Sequence, residues 1–316
     1  MLLQVEAIGL VGLAIALAIP VPNALSRARW TARAPGAALV LWQAVGLGGG
    51  LSILGAGLTL AVGSESEHWL HGVAALPRAW ARLGPAGWVG VAITAAFGAW
   101  LIAVAVVSTV RVILARRVHR RRLDVVAETF PTPVSGGERP PRRIRRVAVL
   151  DIRLVEYPQA IAYCLPGLRP RVVVSRGTLN TLDLDELAAV LAHERAHARG
   201  RHDLLMQPFL AWRETFPFLK AAGRAVASVE LLIEMLADDA ARRSCATADL
   251  RNALHHLKLE HRVQTGHDDP YLDIQLAART ARLHSQPTPL PAVVLSAVYA
   301  AAVALTIVPP LVLALT

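Results

Sequence analysis

The chain has 316 residues, of which 54% are hydrophobic and only 18% are charged, and its mean hydropathy is +0.44. This composition is too apolar for a water-soluble enzyme of that length, and it also excludes an intrinsically disordered chain. Two cysteines, Cys164 and Cys245, are too few for a secreted scaffold held by disulfides. The formal net charge is +10, so its distribution along the chain decides whether nucleic acid is a plausible partner.

The apolar excess is concentrated in stretches that contain no Asp, Glu, Lys or Arg. Each stretch is close to the roughly 20 residues that a helix needs to cross a bilayer core of about 30 Å. These stretches are residues 7–26, 34–64, 83–110 and 283–316. They predict four transmembrane helices, at about residues 3–22, 37–62, 87–113 and 290–314.

The flanking charges predict the orientation of the chain in the membrane. Glu6 precedes the first apolar stretch and three arginines follow it in residues 23–36, so we expect a retained anchor rather than a cleaved signal peptide. Residues 111–146 carry eleven arginines and three acids. Because positively charged loops stay in the cytoplasm, residues 23–36 and 111–282 are predicted to be cytoplasmic. Both chain ends are then expected outside the plasma membrane.

The same counts argue against nucleic-acid binding. Residues 111–146 contribute +8 to the net charge, whereas residues 147–282 contain 17 basic and 17 acidic residues. The basic cluster in residues 116–122 directly follows a transmembrane helix, where anionic lipid headgroups attract each basic residue by ~1 kcal/mol. Membrane lipid is therefore the predicted partner of this charge, and no direct contact with nucleic acid is expected.

The cytoplasmic segment begins with a linker and continues into strands and helices. Prolines and glycines are dense in residues 131–141, which opposes both helix and strand. Residues 146–152 and 171–175 are strand-like, the second through the β-branched run at residues 172–174 between Pro170 and Gly177, and each predicts a short strand. Asp183 is a good N-cap with Glu186 three positions later, which is the spacing of a capping box and predicts a helix from that point.

The helix that follows Asp183 contains a metal-binding pattern. His193 and His197 belong to a His-Glu-x-x-His sequence and are one helical turn apart, so both imidazoles can bind one metal ion. Glu194 projects toward the position of a metal-bound water, where a catalytic base is needed. The alternative is a solvated helix that bears two ordinary histidines.

A catalytic zinc site needs a third protein ligand and keeps its fourth position for water. Residues 229–238 predict one apolar helix on which Glu234 and Asp238 share a face. An acid pair in such an apolar helix is costly unless a metal or an imidazole satisfies it. We therefore predict Glu234 as the third ligand and Asp238 as the acceptor that orients a ligand imidazole. Glu230 is the alternative ligand, and Asp239 is expected to point elsewhere.

The chain resembles the gluzincin membrane proteases, which include the HtpX-type and CAAX prenyl proteases, and resembles the BlaR/MecR antibiotic-sensor metallopeptidases more closely. The second resemblance extends from three N-terminal helices and a basic linker to a helix behind the zinc domain. The motifs that carry it are Leu191-Ala192-His193-Glu194-Arg195-Ala196-His197, the later Glu234 to Asp238, Cys164 to Gly167, Arg171 to Ser175, and Arg201-His202-Asp203.

This resemblance implies a set of roles for the site residues. His193, His197 and Glu234 would bind one zinc ion, Zn²⁺, and Glu194 would be the catalytic base. Antibiotic receptors of this family continue into an extracellular penicillin-binding domain. This sequence stops at Thr316 and has no Ser-x-x-Lys motif, so a β-lactam-binding domain is not expected.

The sequence thus predicts an α-helical polytopic membrane protein with about four transmembrane helices and an inserted cytoplasmic domain of mainly helical α+β, zincin-like (gluzincin) fold. The predicted regions are a three-helix transmembrane region at 1–116, a basic cytoplasmic linker at 117–146, a cytoplasmic zinc metallopeptidase domain at 147–285 and a fourth transmembrane helix at 286–316.

The expected activity is that of a zinc metalloendopeptidase. By the family resemblance, its substrate is a cytoplasmic winged-helix repressor of the BlaI/MecI type, in signal transduction and the antibiotic response, and the chain itself is a further candidate substrate. Val172, Val173 and Val174 are predicted to form an edge strand that holds the substrate by main-chain pairing. His202 is a candidate for stabilising the oxyanion, with an ordinary surface histidine as the alternative.

Two other functions stay open. A quality-control protease of the HtpX type would share the zinc site but degrade misfolded membrane proteins. A non-proteolytic membrane receptor would hold zinc only for structure, although Glu194 would then have no use beside its neighbouring ligand.

Overall fold

The computed structural model describes most of the chain. The described residues are 2–62, 83–130, 151–165, 167, 170–265, 270–285 and 287–315. They form two compact units: the first unit combines residues 1–109, 207–229 and 289–316, and the second unit combines residues 110–206 and 230–288.

Helices dominate the described residues, and short strands lie in the second unit. In chain order the helices are α1 Leu2–Ala18, α2 Pro20–Ser26, a 3₁₀ helix Arg29–Arg33, α3 Pro35–Val62, α4 Pro85–Val126, α5 Arg176–Thr181, α6 Leu184–Gly200, α7 His202–Thr215, α8 Lys220–Ala241, α9 Thr247–Thr265, α10 Pro270–Ser285 and α11 Ala292–Leu315. The strands are β1 Ala127–Phe130, β2 Asp151–Val155, β3 Ala162–Leu165 and β4 Arg171–Ser175.

Among the described residues, four helical spans are long and apolar enough to cross a membrane, as the charge-free stretches predict. They are Val5–Ser26, Pro35–Ala61, Pro85–Val126 and Ala292–Val312. The first span differs from the prediction, because it consists of α1 and α2 with a break at Ile19. Pro20 opens α2, where a proline is tolerated because the first N–H groups of a helix need no partner within it.

Small residues let the membrane helices of the first unit approach closely. Helix α3 continues without a break through Gly48, Gly49 and Gly50. A Cβ atom at Gly48 would overlap the main-chain oxygen of Leu305 in α11. Glycine is therefore required for this contact, which is the usual way in which helices associate in lipid.

Residues 207–229 belong to the first unit, although the sequence places them in the peptidase domain. Phe209 of α7 lies edge-to-face against the fully buried Trp42 of α3, with ring centroids 6.3 Å apart. Phe216 lies 5.5 Å from Trp100 of α4. The contact units thus differ from the predicted domain boundaries, which stay a prediction.

Helix α4 continues past its predicted end. It has 42 residues and is therefore about 63 Å long, roughly twice the thickness of a bilayer core. Its last turns include part of the predicted basic linker. In these turns Leu123 packs with Leu165 and Val173 of the sheet. Arg116 forms an ion pair with Asp203, and Arg120 donates a hydrogen bond to the main-chain oxygen of Leu165 over 3.4 Å. Two arginines of the basic cluster therefore have protein partners.

The strands form one sheet with the order β1-β2-β4-β3. β2 and β4 are parallel, and the two outer pairs are antiparallel. The predicted strand at residues 171–175 is confirmed as β4. The other predicted strand overlaps β2 at residues 151–152, and its residues 146–150 lie outside the described residues. β1 and β3 were not predicted.

The prediction that Val172, Val173 and Val174 form an edge strand is wrong. β4 pairs with β2 on one side and with β3 on the other, so its main chain has no free edge. The three valines are only 0–3% exposed. A continuous β-branched run is typical of a strand buried on both faces, and this explains the error. Among the described strands, β3 lies at the edge next to β4.

The sheet and the helices hold α6 between two apolar layers. One side of α6 packs through Leu187, Val190 and Leu191 against Ile152 of β2 and valines of β4. Its other side contacts α8, α9 and α10 through a cluster that includes Leu283 of α10. The predicted capping box is confirmed, since Asp183 accepts from the main-chain N–H of Glu186 and the Glu186 carboxylate accepts from the N–H of Asp183.

Candidate metal centre

Helices α6 and α8 bring three potential ligands together. The Nε2 atoms of His193 and His197 are 3.0 Å apart. Glu234 Oε2 lies 3.3 Å from Nε2 of His193, and its Oε1 lies 3.3 Å from Nε2 of His197. Ligand atoms of a tetrahedral zinc with Zn–N bonds of about 2.0–2.1 Å are about 3.3 Å from one another. The three side chains therefore fit a zinc ion, and one ligand atom from each lies within 4.8 Å of the others.

The predicted alternatives on α8 lie outside this group. Glu230 is not among the described residues whose ligand atoms converge there. Asp239 pairs with Arg282 of α10, at 2.6 and 2.7 Å. The assignment of Glu234 as the ligand is therefore the one that the geometry favours, while metal binding itself stays a prediction.

Asp238 lies behind the first ligand. Its Oδ1 is 3.0 Å from Nδ1 of His193, on the side of the ring opposite the three converging atoms, and its side chain is only 1% exposed. A carboxylate at this position orients the imidazole and keeps Nε2 free to bind metal. This is the position that the sequence analysis assigned to Asp238.

His202 lies behind the second ligand. Its Nδ1 is 3.0 Å from Nδ1 of His197, and its ring is buried. Burial, and then His197, lower the pKa of His202 to about 4, so that the ring is neutral and its Nδ1 can accept a hydrogen bond from Nδ1–H of His197. On sequence grounds His202 was a candidate for stabilising the oxyanion, and its contact with His197 was not predicted.

Local backbone geometry brings His202 to this position. Arg201 caps α6 in the left-handed region with a φ of 47°, which turns the chain back toward the ligand helix. A Cβ atom at Gly200 would overlap the His202 ring, so glycine makes room for it. The short polar turn directly after the His-Glu-x-x-His motif is the signal from which this contact could have been predicted.

Arg279 of α10 is the other residue that the sequence analysis missed. Its Nε and Nη2 donate to the two oxygens of Asp238 over 2.9 and 2.7 Å. Its Nη1 lies 2.8 Å from Oε2 of Glu234. The only sequence signal is that Arg279 and Arg282 are three residues apart, as facing partners for the acids of α8 would be.

Glu194 lies beside the ligands and has the properties of a proton acceptor. Burial raises the pKa of Glu194; His193 and His197 lower it, and Glu234 raises it, for a net increase. The main-chain N–H of Cys164 in β3 also donates a hydrogen bond to its carboxylate. A base whose pKa lies above the ordinary value for Glu is better suited to catalysis near neutral pH.

The charges of the site complement a divalent cation. Burial opposes the ionised form of Glu234, but the two histidines and Arg279 hold the pKa of Glu234 well below its ordinary value. Burial likewise lowers the pKa of His193, but Asp238 and Glu234 raise it more, to about 9. These carboxylates therefore attract positive charge to the imidazole nitrogens. With both imidazoles neutral, as metal binding requires, three ionised carboxylates and one guanidinium would leave a net charge of −2, which a divalent metal ion would neutralise.

Comparisons with known proteins agree with a metalloprotease. Residues 146–252, about a third of the chain, match the profile of peptidase family M48, and this range contains the three candidate ligands and Glu194. A protease HtpX homolog from Thermoplasma acidophilum is 41% identical over 56 residues, which are 18% of this chain and 18% of that protein. The match thus spans less than a fifth of this relative's length. No solved structure matches the chain significantly.

The matches support the coarse expectation of a membrane metalloprotease. They contain nothing specific to the antibiotic-sensor type, and the HtpX alternative fits them about equally well. Arg279 lies outside the residues that match the family profile.

Proposed function

We propose that this chain is a membrane-embedded, zinc-dependent endopeptidase with a cytoplasmic active site. The observation that carries the proposal is the convergence of two imidazole nitrogens and the Glu234 carboxylate beside Glu194. A zinc site that serves only structure is normally closed by four protein ligands and needs no adjacent base. Here three protein ligands converge with the Glu194 carboxylate next to them, which favours a hydrolase.

Different residues of the site are proposed to perform different steps of peptide hydrolysis. His193, His197 and Glu234 would hold a zinc ion, which would supply the Lewis acidity that acidifies water and polarises a carbonyl group. Glu194 accepts the proton of the attacking water and passes it to the amine that leaves. Asp238 and His202 keep the two imidazoles in the orientation that leaves Nε2 for the metal.

The substrate is proposed to bind along β3 rather than β4. β3 lies at the edge of the described sheet, and the main-chain N–H of Cys164 in this strand contacts the Glu194 carboxylate. A peptide that pairs with this edge as an added strand would lie next to the base. Main-chain pairing selects an extended segment with little dependence on sequence, so β3 accounts for binding more than for specificity.

The substrate class rests on the resemblance to antibiotic-sensor peptidases. By that resemblance we propose a cytoplasmic repressor of the BlaI/MecI type, cleaved in response to a signal at the membrane. The excess of arginines in residues 111–146 supports the cytoplasmic location. The second candidate is a quality-control protease, which the match to the HtpX homolog favours.

One experiment separates these functions. Membranes containing the full chain are incubated with a BlaI/MecI-type repressor or with an unfolded membrane protein, and Glu194→Ala membranes serve as the control. We expect cleavage of the repressor at a defined bond, and no cleavage by the variant. Degradation of the membrane protein alone would favour the HtpX-type function. If wild type and variant give the same products with both substrates, the proposed peptidase function is wrong.

A further inference from the structure

One guanidinium group contacts two carboxylates of the metal centre. Arg279 makes a two-pronged contact with Asp238 and a third contact, at 2.8 Å, with Oε2 of Glu234. Its side chain is only 11% exposed. Since Glu234 and Asp238 are one turn apart on α8, the planar group of Arg279 spans both of them from the facing helix.

A second arginine of the same helix makes a comparable contact away from the ligands. Arg282 binds both oxygens of Asp239 at 2.6 and 2.7 Å, so that α10 is joined to α8 twice. Asp239 has no part in the group of converging ligand atoms. The two arginines therefore share their helix, their partner helix and their two-pronged geometry. They differ in the acid that they bind: Asp238 contacts the proposed ligand His193, whereas Asp239 lies outside the ligand group.

The contact with Glu234 restricts how its carboxylate can bind metal. Nη1 of Arg279 lies 2.8 Å from Oε2, an oxygen that is also 3.3 Å from Nε2 of His193, whereas Oε1 lies 3.3 Å from Nε2 of His197. An oxygen that already accepts a charged hydrogen bond is a weaker metal ligand than its free neighbour. The arrangement thus favours binding through Oε1 alone, which gives three protein donors and leaves the fourth position of a tetrahedral metal.

The contact with Asp238 has a separate effect on the first imidazole. Asp238 is 1% exposed, and its Oδ1 lies 3.0 Å from Nδ1 of His193. The guanidinium binds both of its oxygens, which fixes the carboxylate plane and compensates its buried charge. The orientation of the His193 imidazole therefore depends on two successive contacts, from His193 to Asp238 and from Asp238 to Arg279 of α10.

We infer that Arg279 is a positioning residue of the metal centre, which fixes the Glu234 carboxylate for one-oxygen binding and holds Asp238 against His193. Helix α10 is then a part of the active site, and a movement of this helix would change metal affinity. The inference rests on the proposed zinc site, and it assigns a function to a residue beyond the part of the chain that matches the peptidase family.

The test compares Arg279→Met with Arg282→Met in the full-length protein. Both variants remove a two-pronged α8–α10 contact, and Arg279→Met also removes the contact with Glu234, so a purely structural role predicts that zinc affinity changes only in step with the unfolding midpoint. Zinc affinity is measured by competition with a chelator, the unfolding midpoint is measured by thermal denaturation, and the absorption spectrum of Co²⁺-substituted protein reports the coordination. We expect Arg279→Met to lower zinc affinity by 10- to 100-fold and to change the Co²⁺ spectrum. Arg282→Met should leave both unchanged.

A third variant guards against a failure to fold. Arg279→Lys keeps the positive charge but cannot reach both carboxylates with a planar fork, so we expect a zinc affinity between wild type and Arg279→Met. If Arg279→Met does not accumulate, Arg279→Lys against Arg282→Lys carries the same comparison. Wild-type zinc affinity and an unchanged Co²⁺ spectrum in the Arg279 variant would overturn the inference. Equal losses of zinc affinity in the Arg279 and Arg282 variants would overturn it as well.

A separate control distinguishes this failure from failure of the zinc site itself. Glu234→Ala removes a proposed ligand and should lose most of the zinc, whereas Glu230→Ala should retain it. If Glu234→Ala binds zinc like wild type, the proposed metal centre is wrong. If it loses zinc while the two arginine variants behave alike, only the positioning role of Arg279 is wrong.

Discussion

His193 and His197 lie on the same face of α6, yet their second ring nitrogens contact different partners. Nδ1 of His193 lies against the Asp238 carboxylate, which comes from α8 and is held in turn by Arg279 of α10. Nδ1 of His197 lies against the neutral ring of His202, only five residues later in the chain. The side chain of His193 is 9% exposed and that of His197 is 19% exposed.

This difference separates two ways of building a metal site. The His193 half depends on groups from three helices, of which His193 and Asp238 are buried and Arg279 is 11% exposed, so a change there affects both the metal and the packing of the domain. The His197 half depends on a turn that follows its own helix, so a change there affects the metal with little effect on packing. Substitutions in the two halves should therefore differ in how far they lower stability beside zinc affinity. The proposed catalysis depends on a third group, the Glu194 carboxylate.

The largest effect is expected at Glu194, which belongs to neither half. Glu194→Gln keeps the size of the side chain but cannot accept a proton near neutral pH, so proteolysis should fall by about 10²- to 10⁴-fold. Zinc content and unfolding midpoint should stay near wild type, because no ligand is lost. The assay is cleavage of the candidate repressor, beside a reporter for the genes that it regulates. A variant that binds zinc and still induces the reporter fully would favour the receptor with structural zinc.

The next-largest effects are expected at Asp238 and His202, which lie against the second ring nitrogens of the two ligand histidines. Asp238→Asn removes a buried charge that faces both His193 and Arg279, so zinc affinity should fall about 10- to 100-fold and the unfolding free energy should fall by about 3–5 kcal/mol. His202→Phe keeps a ring but removes the acceptor, so zinc affinity should fall about 10-fold with little change in the unfolding midpoint. Chelator competition and thermal denaturation measure both quantities. The comparison is wrong if His202→Phe destabilises the fold more than Asp238→Asn.

Sequence patterns predict those parts of the site that repeat over one helical turn. The His-Glu-x-x-His motif, the capping box at Asp183 and the shared face of Glu234 and Asp238 all follow from helical periodicity, and the structure places these groups as expected. Arg279 is 41 residues from Asp238, and nothing local indicates that α10 turns this side chain toward α8.

For the strands, too, local sequence patterns predict the element but not its position in the sheet. The valine run predicts β4 correctly, because β-branched residues favour extended structure locally. Its place within the sheet depends on β3, a four-residue strand with no strong pattern of its own, so the sequence could not indicate that β4 is interior. The four membrane spans were predictable because bilayer thickness sets their length, whereas the side of the membrane on which each end lies stays a prediction.

The smallest effect is expected at Gly200, where the local geometry of the His197 half can be disturbed without changing a polar group. A methyl group at this position would overlap the buried His202 ring and push it away from His197. We expect Gly200→Ala to lower zinc affinity by a few-fold, up to about the 10-fold of losing a ligand's partner. Gly223→Ala in α8 is the matched control, since nothing lies within 4 Å of the added carbon. That control should bind zinc normally and gain roughly 0.5–1 kcal/mol of stability, as alanine in place of a helical glycine usually does. Equal zinc affinities for the two alanine variants would mean that His202 does not orient His197, and that the two halves of the site do not differ in the way described.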